Sequence, residues 1–186
     1  MTIIDFLINI LAIRDDKLLL QLSNIGKILT YPKKGMLFRM YEKPEYLAFL
    51  SRGIIRGYFS DESGHETTDC FVFEAGAPIV PSYPFYSPAL MNMEAVVDCE
   101  VIAFPTFYVV DFIRCNPCLV QIYNQLLGES MKVHFKHKNA LRMRTKERYQ
   151  WFLQEYPSLS SRVQDNHIAS FLSMSEENLN RIKKFM

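Results

Sequence analysis

The sequence predicts an α+β protein with an N-terminal antiparallel β jelly roll or barrel, then a long helix and a small helical C-terminal unit. Three patterns support this class. About eight short apolar runs, separated by Gly, Pro and polar turn residues, lie between residues 27 and 105. One long helical pattern follows them, and two short amphipathic patterns end the chain. Short strands at nearly regular spacing are typical of a jelly roll or barrel, not of a parallel sheet with crossover helices.

Composition limits the classes of protein that fit the chain. Its 186 residues are 49% apolar and 13% aromatic, which is enough for a substantial core and argues against disorder. The net charge is only +1, but the segment from Arg142 onward has eight Lys/Arg against five Asp/Glu. Such a mild basic excess favours a small nucleic-acid contact over a broad basic surface.

Membrane and secretory signals are not expected. No apolar run reaches the roughly 20 residues that cross a bilayer. The apolar start of the chain lacks the basic region and the cleavage site of a signal peptide. We therefore expect a cytoplasmic protein with no membrane partner, in which the four cysteines are reduced thiols.

The N-terminal region is expected to begin with two short helices and to continue as strands. Residues 1–16 are typical of an amphipathic helix, and residues 15–24 form a second helical pattern. Tight turns then separate the predicted strands at Pro32–Gly35, at Gly53 and at Glu62–Gly64. The last two predicted strands read MEAVVD and CEVIAFP.

A long helix is expected to begin at Asn116–Pro117, because Pro is favoured at the first helical position. Its side chains at seven-residue spacing are typical of a two-stranded coiled coil. A helix of ~25 residues is ~37 Å long and extends past a barrel of this size, so we expect a homodimer. Packing onto the chain's own barrel is the alternative. The predicted dimer contacts are Leu119, Ile122, Tyr123, Leu126, Ser130, Val133 and His137.

These patterns divide the chain into three predicted parts, residues 1–114, 115–143 and 144–186. An amphipathic helix at residues 146–155 follows the long helix, so the hinge is expected near Met143–Thr145. A signal in the first part would then reorient the last part about this hinge.

The final two dozen residues predict a helix-turn-helix unit. Two apolar faces have helical spacing, with Ile168, Ala169 and Leu172 in the first segment and Leu179, Ile182 and Met186 in the second. Ser175 is the expected N-cap of the second helix, and Asp165 or Asn166 that of the first. The alternative is an ordinary helical hairpin that completes a core.

The order of these elements resembles the transcription regulators of the cyclic-AMP receptor protein/Fnr (Crp/Fnr) family. The most specific parts are ERYQWFLQEYPSL, residues 147–159, and HIASFLSMSEENLNRIKK, residues 167–184. The resemblance implies a sensor domain like the cyclic-nucleotide-binding domain and a homodimer that binds double-stranded DNA at a two-fold symmetric operator. On this match Glu177 and Arg181 are the best candidates for base contacts.

Groove chemistry agrees with this assignment. Arg donates two hydrogen bonds to guanine, Glu accepts one from cytosine, and Asn pairs with adenine, which makes Asn180 a further candidate. Lys and Ser side chains in this region are expected to bind phosphates. The predicted DNA-binding residues are Ser175, Glu176, Glu177, Asn178, Asn180, Arg181, Lys183 and Lys184.

The chain departs from the family pattern at two places in this region. Ser173 stands where the turn usually carries glycine, so we expect a strained or altered turn. The sequence ends at Met186, so the β-hairpin wing of many members is not expected. Fewer phosphate contacts and weaker DNA binding would follow.

The barrel also lacks the cyclic-nucleotide motif. Ala89 and Leu90 stand where nucleotide-binding members carry an Arg and a Ser or Thr for the cyclic phosphate, and no Lys or Arg occurs between Arg56 and Arg114. A buried phosphate without a cationic partner faces a large desolvation cost. We therefore do not expect cyclic AMP or cyclic GMP to bind.

Two other sensing routes remain open. An unidentified small-molecule effector could enter an apolar pocket, or the same side chains could simply fill the barrel. The predicted pocket residues are Tyr83, Phe85, Tyr86, Met91 and Met93. Alternatively, Cys115 and Cys118 at the start of the long helix could respond to redox state, although two small residues at a helix start are a common arrangement.

No enzyme activity, cofactor or metal site is predicted. The chain has no phosphate loop, nucleophile elbow or HExxH motif. His134 and His137 lie on one helix with no carboxylate pair nearby in the sequence, which is a poor metal-ligand pattern. The alternative function is a protein-interaction module, or a dimeric scaffold whose DNA-binding helices have degenerated.

Overall fold

A computed structural model describes residues 1–185 and confirms the predicted α+β class. The elements are α1 (Ile3–Asn9), α2 (Asp16–Ile25), β1 (Lys27–Tyr31), β2 (Met36–Phe38), β3 (Tyr46–Arg52), β4 (Ile55–Ser60), β5 (Glu66–Val72), β6 (Pro78–Ile79), β7 (Asn92–Ala95), β8 (Cys99–Pro105), α3 (Thr106–Cys115), α4 (Pro117–Ala140), α5 (Thr145–Glu155), α6 (Asp165–Phe171) and α7 (Glu176–Lys184). None of the helices within residues 1–185 is both long enough and apolar enough for a membrane crossing.

The strands form two four-stranded sheets, in the orders β1-β8-β3-β6 and β2-β7-β4-β5. β8 pairs antiparallel with β1 on one side and with β3 on the other, and β2 pairs antiparallel with β7. Most neighbours in each sheet are distant in sequence. This connectivity is that of a jelly roll and not of a simple meander.

The turn between β3 and β4 requires glycine. Gly53 has a φ of +120°, and a Cβ at this position would lie 2.4 Å from Sγ of Cys99. Glycine, which has no Cβ, is the amino acid that can adopt this φ in so little space. The predicted turn at this position is therefore fixed by the close approach of the start of β8.

The barrel core lies beneath the N-terminal helices. A capping box between Thr2 and Asp5 begins α1, and α1 buries Phe6 in the core. The ring of Phe6 lies 4.7 Å from that of Phe49 in β3 and 6.2 Å from that of Phe104 in β8. Aromatic packing of this kind adds to the stabilisation that area burial alone provides.

The chain divides into two compact units. One contains residues 1–57 and 71–130, and the other contains residues 58–70 and 131–186. The chain passes from one unit to the other three times, and the last of these boundaries lies inside α4. The three-part organisation expected from the sequence, with its hinge near Met143–Thr145, stays a prediction.

Candidate nucleic-acid interface

The helix pair α6–α7 has the apolar faces that the sequence predicts. Ile168, Ala169, Leu172 and Leu179 are all buried, while Met186 lies outside the described residues. Small Ala169 permits the close crossing that a helix-turn-helix requires.

The N-caps of the two helices differ from each other. Ser175 is the N-cap of α7, and its hydroxyl accepts the N–H of Asn178 at 3.2 Å, as predicted. The prediction for α6 is wrong, because Gln164 is the N-cap and its side chain makes no capping hydrogen bond. Asp165 and Asn166 lie inside the helix instead, where Asp165 is used in an ion pair.

The turn between the helices has the strain that Ser173 predicts. Its φ is +50°, a left-handed conformation that costs a non-glycine residue roughly 1–2 kcal/mol. The guanidinium of Arg148 in α5 stabilises this turn by donating to the carbonyls of Leu172 and Ser173, the latter at 3.1 Å. The same group also donates to the carbonyls of Leu141 and Met143, at 3.0 and 3.1 Å.

Arg148 therefore connects the end of α4 to the turn of the helix pair. Its charge lies near carbonyls at the C-terminal ends of α4 and α6, where the helix dipole favours a cation. Its Nε is buried and has no hydrogen-bond partner among residues 1–185. Sequence reasoning missed this residue, although it lies inside the ERYQWFLQEYPSL segment.

His137 is buried within its own chain, which corrects its assignment as a dimer contact. Only 6% of its surface is exposed, and its ring stacks on Phe171 with centroids 3.9 Å apart. Nε2 donates to the carbonyl of Phe171 at 2.7 Å, so this nitrogen carries the proton. Burial lowers the pKa of His137 below its ordinary value, whereas the hydrogen bond to Phe171 and the charge of Asp69 act in the opposite direction.

The outward face of α7 carries most of the predicted DNA-binding side chains. Glu176, Glu177, Asn180, Arg181 and Lys184 are exposed. Positions 177, 180 and 181 are three and four residues apart, so these side chains share one helix face.

Two of the predicted phosphate contacts are used inside the chain instead. Lys183 is half-buried, forms an ion pair with Asp165 and lies 6.0 Å from the ring of Tyr149. It therefore connects the end of α7 to the start of α6. Ser175 uses its hydroxyl oxygen as the N-cap, and Asn178 accepts a hydrogen bond from Arg181 at 2.7 Å.

Similarity to solved structures identifies the fold. The chain is similar to the FixK2 protein of Bradyrhizobium japonicum, with 18% identity, a TM-score of 0.72, and coverage of 86% of this chain and 83% of that chain. It is also similar to a protein of Eubacterium rectale described as a transcriptional regulator of the Crp/Fnr family, with 15% identity, a TM-score of 0.74, and coverage of 92% and 83%. The chain has the Crp/Fnr fold.

A third similar structure is the c-di-GMP-responsive global regulator CLP of Xanthomonas campestris, with 13% identity, a TM-score of 0.72, and coverage of 91% of this chain and 90% of that chain. No protein-family model and no curated protein matches the sequence. At these identities the Crp/Fnr fold is shared although few residues are.

In this version of the Crp/Fnr fold, the predicted dimer seam of α4 packs on the chain's own barrel. Leu119 belongs to the buried core, and Ile122, Tyr123 and Leu126 pack against it. The dimer assignment of these four residues stays a prediction, because heptad spacing does not reveal which surface covers an apolar face and three of the four are only partly buried in the single chain. The hydroxyl of Ser130 donates to the carbonyl of Leu126 at 3.0 Å, and Val133 is exposed.

A different apolar stripe of α4 is open to solvent. Val120, Met131 and Phe135 are exposed, the last two at 56% each, and Leu127 between them is half-buried. Their spacing of seven, four and four residues places them on one side of the helix.

The predicted ligand-pocket residues differ in their exposure. Phe85 and Met93 are buried, Met91 is half-buried, and Tyr83 and Tyr86 are exposed. The pocket formed by these five residues stays a prediction.

The loop containing these aromatic residues instead packs on Tyr123 of α4. The Tyr123 hydroxyl accepts the N–H of Phe85 at 3.3 Å, and the two rings are edge to face at 5.3 Å. Burial raises the pKa of Tyr123.

Ala89, which the resemblance aligns with the phosphate-binding Arg of nucleotide-binding members, is only 1% exposed. Its N–H donates to the carbonyl of Glu42, and its carbonyl accepts the N–H of Tyr41, both at 2.8 Å. The backbone at this position is therefore fully used, and the side chain offers no charge.

Two small cavities lie beneath α4. One has a volume of about 50 Å³ and is lined by apolar residues and Tyr123: Leu7, Leu11, Leu22, Leu47, Phe49, Phe104, Val109, Ile113, Leu119, Ile122, Tyr123 and Leu126. The other has a volume of about 20 Å³ and is lined partly by Phe85 and Tyr123. Of the predicted pocket residues, Phe85 lines the smaller cavity.

Proposed function

We propose that the protein is a DNA-binding transcription regulator that acts as a homodimer on a two-fold symmetric operator. The observation that carries the proposal is the outward face of α7, where Glu177, Asn180 and Arg181 are exposed on a helix whose opposite face is buried. Side chains of these types bind base edges in the major groove. The Crp/Fnr fold supports the same conclusion, because a structure that shares it is described as a transcriptional regulator.

Charge supports a nucleic-acid partner. Residues 131–186 contain eleven Lys/Arg against five Asp/Glu, a net charge of +6. We assign guanine contact to Arg181, cytosine contact to Glu177 and adenine contact to Asn180. Lys184, at the exposed end of α7, is assigned to phosphate.

For the dimer we propose the exposed stripe of α4, formed by Val120, Leu127, Met131 and Phe135. A helix of 24 residues is ~36 Å long, close to the spacing of two half-sites one DNA turn apart. Burying this stripe against its copy removes apolar surface from water, which favours association. We expect a charged residue in place of Val133 to leave the dimer intact, and a charged residue in place of Met131 to disrupt it.

For the barrel we propose a sensor or scaffold that responds to something other than a cyclic nucleotide. The buried Ala89 and the aromatic loop leave no cation for a phosphate at that position. An effector that enters the cavities beneath α4 would be small and uncharged, since nearly all of their lining is apolar. A cytoplasmic location belongs to the same proposal.

One observation favours a second function, a protein-interaction module. The first turn of α7 carries Glu176 and Glu177, and Phe185 after the helix is 78% exposed. Acidic side chains repel phosphates, and exposed aromatic side chains are common in protein interfaces. A salt series separates the two functions, because only DNA binding should weaken steeply as salt increases.

The test begins with duplexes selected for binding from a random pool. Arg181→Ala should weaken binding to the selected operator by about 1–3 kcal/mol and relax the preference at one base pair. The matched control is Arg162→Ala, which removes an exposed Arg outside the helix pair and should leave that preference unchanged. Equal affinity and selectivity for wild type and Arg181→Ala would contradict the assignment of this residue.

A further inference from the structure

The turn between β4 and β5 belongs to the same compact unit as the DNA-reading helices. Residues 58–70 are separated from residue 131 by 60 residues, yet both segments form one unit. Local hydrogen bonds stabilise the tip of this acidic hairpin, as we call residues 58–70. Asp61 accepts hydrogen bonds from the N–H groups of Ser63 and His65, each at 2.9 Å.

The hydroxyl of Ser170 attaches the acidic hairpin to α6 through two hydrogen bonds. Ser170 accepts the N–H of Thr68 at 2.8 Å and donates to the carbonyl of Glu66 at 3.1 Å. These two groups lie on β5, an edge strand of its sheet. Edge strands present backbone groups that need partners, and Ser170 provides one donor and one acceptor at successive positions of the same strand edge.

The two segments of this unit have opposite charges. The acidic hairpin contains Asp61, Glu62, Glu66 and Asp69 and no Lys or Arg, a net charge of −4. The helical segment 131–186 carries +6. The attached hairpin therefore lowers the net charge of the unit to +2, and one of its carboxylates is close enough to raise the pKa of His137.

We propose that the attached acidic hairpin inhibits DNA binding, and that the hydroxyl of Ser170 helps to keep it attached. This inference rests on the proposed function. Attraction to the phosphate backbone depends on the positive charge of the protein surface. DNA therefore favours the form in which the hairpin has separated from α6, and by linkage the attached hairpin lowers the affinity for DNA.

The decisive variant is Ser170→Ala. It removes both hydrogen bonds from the attached form, whereas in the separated form water can bond to Thr68 N–H and Glu66 O. We expect operator affinity to increase about 3- to 10-fold, the change that corresponds to one or two net hydrogen bonds. Ser170→Thr keeps a hydroxyl and should remain near wild type.

Two further variants test whether the effect depends on the charge of the hairpin, and whether loss of an unrelated hydroxyl has any effect. Glu62→Gln removes one exposed charge from the hairpin without touching Ser170, so affinity should increase about 2-fold, and less in high salt. Ser160→Ala removes a hydroxyl that donates to Pro157 at 3.2 Å in the same unit, and should leave affinity unchanged.

Hydrogen exchange at the Thr68 amide measures the attachment in the wild-type protein, without any substitution. The amide should exchange faster when the protein is saturated with operator DNA than when it is free. Protection that persists in the complex would overturn the inference, even if Ser170→Ala failed to fold. So would Ser170→Ala binding DNA as well as wild type or more weakly.

Failure of the inference and failure of the proposed function give different results. If neither wild type nor Ser170→Ala binds any duplex in a salt-dependent way, both the proposed function and the inference are contradicted. If wild type binds and Ser170→Ala does not bind more tightly, only the inhibition by the hairpin is contradicted. Binding by Ser170→Ala in the absence of measurable wild-type binding would support both.

Discussion

The helix pair α6–α7 and the aromatic loop before β7, residues 80–91, differ in which side chains they expose to a ligand. On α7, Asn180 and Arg181 are exposed, and the residues that support the helix are buried. In the loop, Phe85 and Ala89 are themselves buried and no cationic side chain is present. The surface of α7 therefore presents polar groups to solvent, whereas Phe85 and Ala89 of the loop fill the interior of the barrel.

Because of this difference, the exposed side chains support a proposal for α7 more directly than the buried ones do for the barrel. The predicted base-contacting side chains of α7 are already exposed, so the proposed DNA contact needs no rearrangement to uncover them. In the barrel, Ala89, which the resemblance aligns with the phosphate-binding Arg, is buried. The proposed DNA-contacting surface of α7 and the proposed sensor site of the barrel must therefore be tested separately.

The largest effect is expected from the core beneath the helix pair. Phe152→Ala should destabilise the C-terminal unit by about 3–5 kcal/mol, since Phe152 is fully buried against Phe171. Fluorescence of Trp151, the single tryptophan, during denaturant unfolding measures this change. Phe49→Ala in the barrel should shift the same signal less, and an equal shift would show that the two units unfold together.

A charged side chain at position 89 should destabilise the barrel and not create a nucleotide site. Ala89→Arg buries a cation without an anionic partner, which we expect to cost about 2–4 kcal/mol. Leu90→Arg is the matched control, because Leu90 is 58% exposed and should tolerate the charge. Thermal unfolding with and without cyclic AMP measures both effects. An increase in wild-type melting temperature with cyclic AMP would contradict the comparison.

Acidification should weaken the C-terminal unit through His137. Burial lowers the pKa of this side chain in the folded state, so folding favours the neutral ring. The stability contributed is present above the ordinary pKa of 6.5 and is lost as the pH falls through the lower folded-state pKa. Urea unfolding followed by Trp151 between pH 7.5 and 5 should show this loss, and His137→Gln should flatten it. A pH profile unchanged by His137→Gln would exclude His137 as the cause. This pH range, from about 7.5 to about 5, spans the titration of His.

The smallest effect is expected at the turn of the helix pair. Ser173→Gly should stabilise the unit by about 0.5–1 kcal/mol, because glycine adopts the left-handed conformation without strain but loses more entropy on folding. Ser173→Ala keeps the strain and should remain close to wild type. Equal stabilisation by both variants would assign the effect to the hydroxyl and not to the backbone.

Local patterns in the sequence predicted much of this structure. Pro117 begins α4, Ser175 caps α7, and Ser173 adopts the strained conformation expected at a glycine position. Each of these depends on one or two neighbouring residues, so the sequence contains the information directly.

Features that depend on distant partners were not predictable in the same way. Periodicity showed that Leu119 and Tyr123 lie on an apolar face, but not that the face packs on the barrel. The four carbonyls bound by Arg148 come from segments that only the fold brings together. The contact between Ser170 and Thr68 spans 102 residues and leaves no local signal.

The three chain crossings between the compact units have a practical consequence for domain exchange. A fragment that begins after α4 would contain α5, α6 and α7 but would lack His137 and the acidic hairpin. Grafting such a fragment onto another protein would transfer α7 without these parts of its compact unit. A chimera that is meant to keep the unit intact must therefore be joined at three places along the chain.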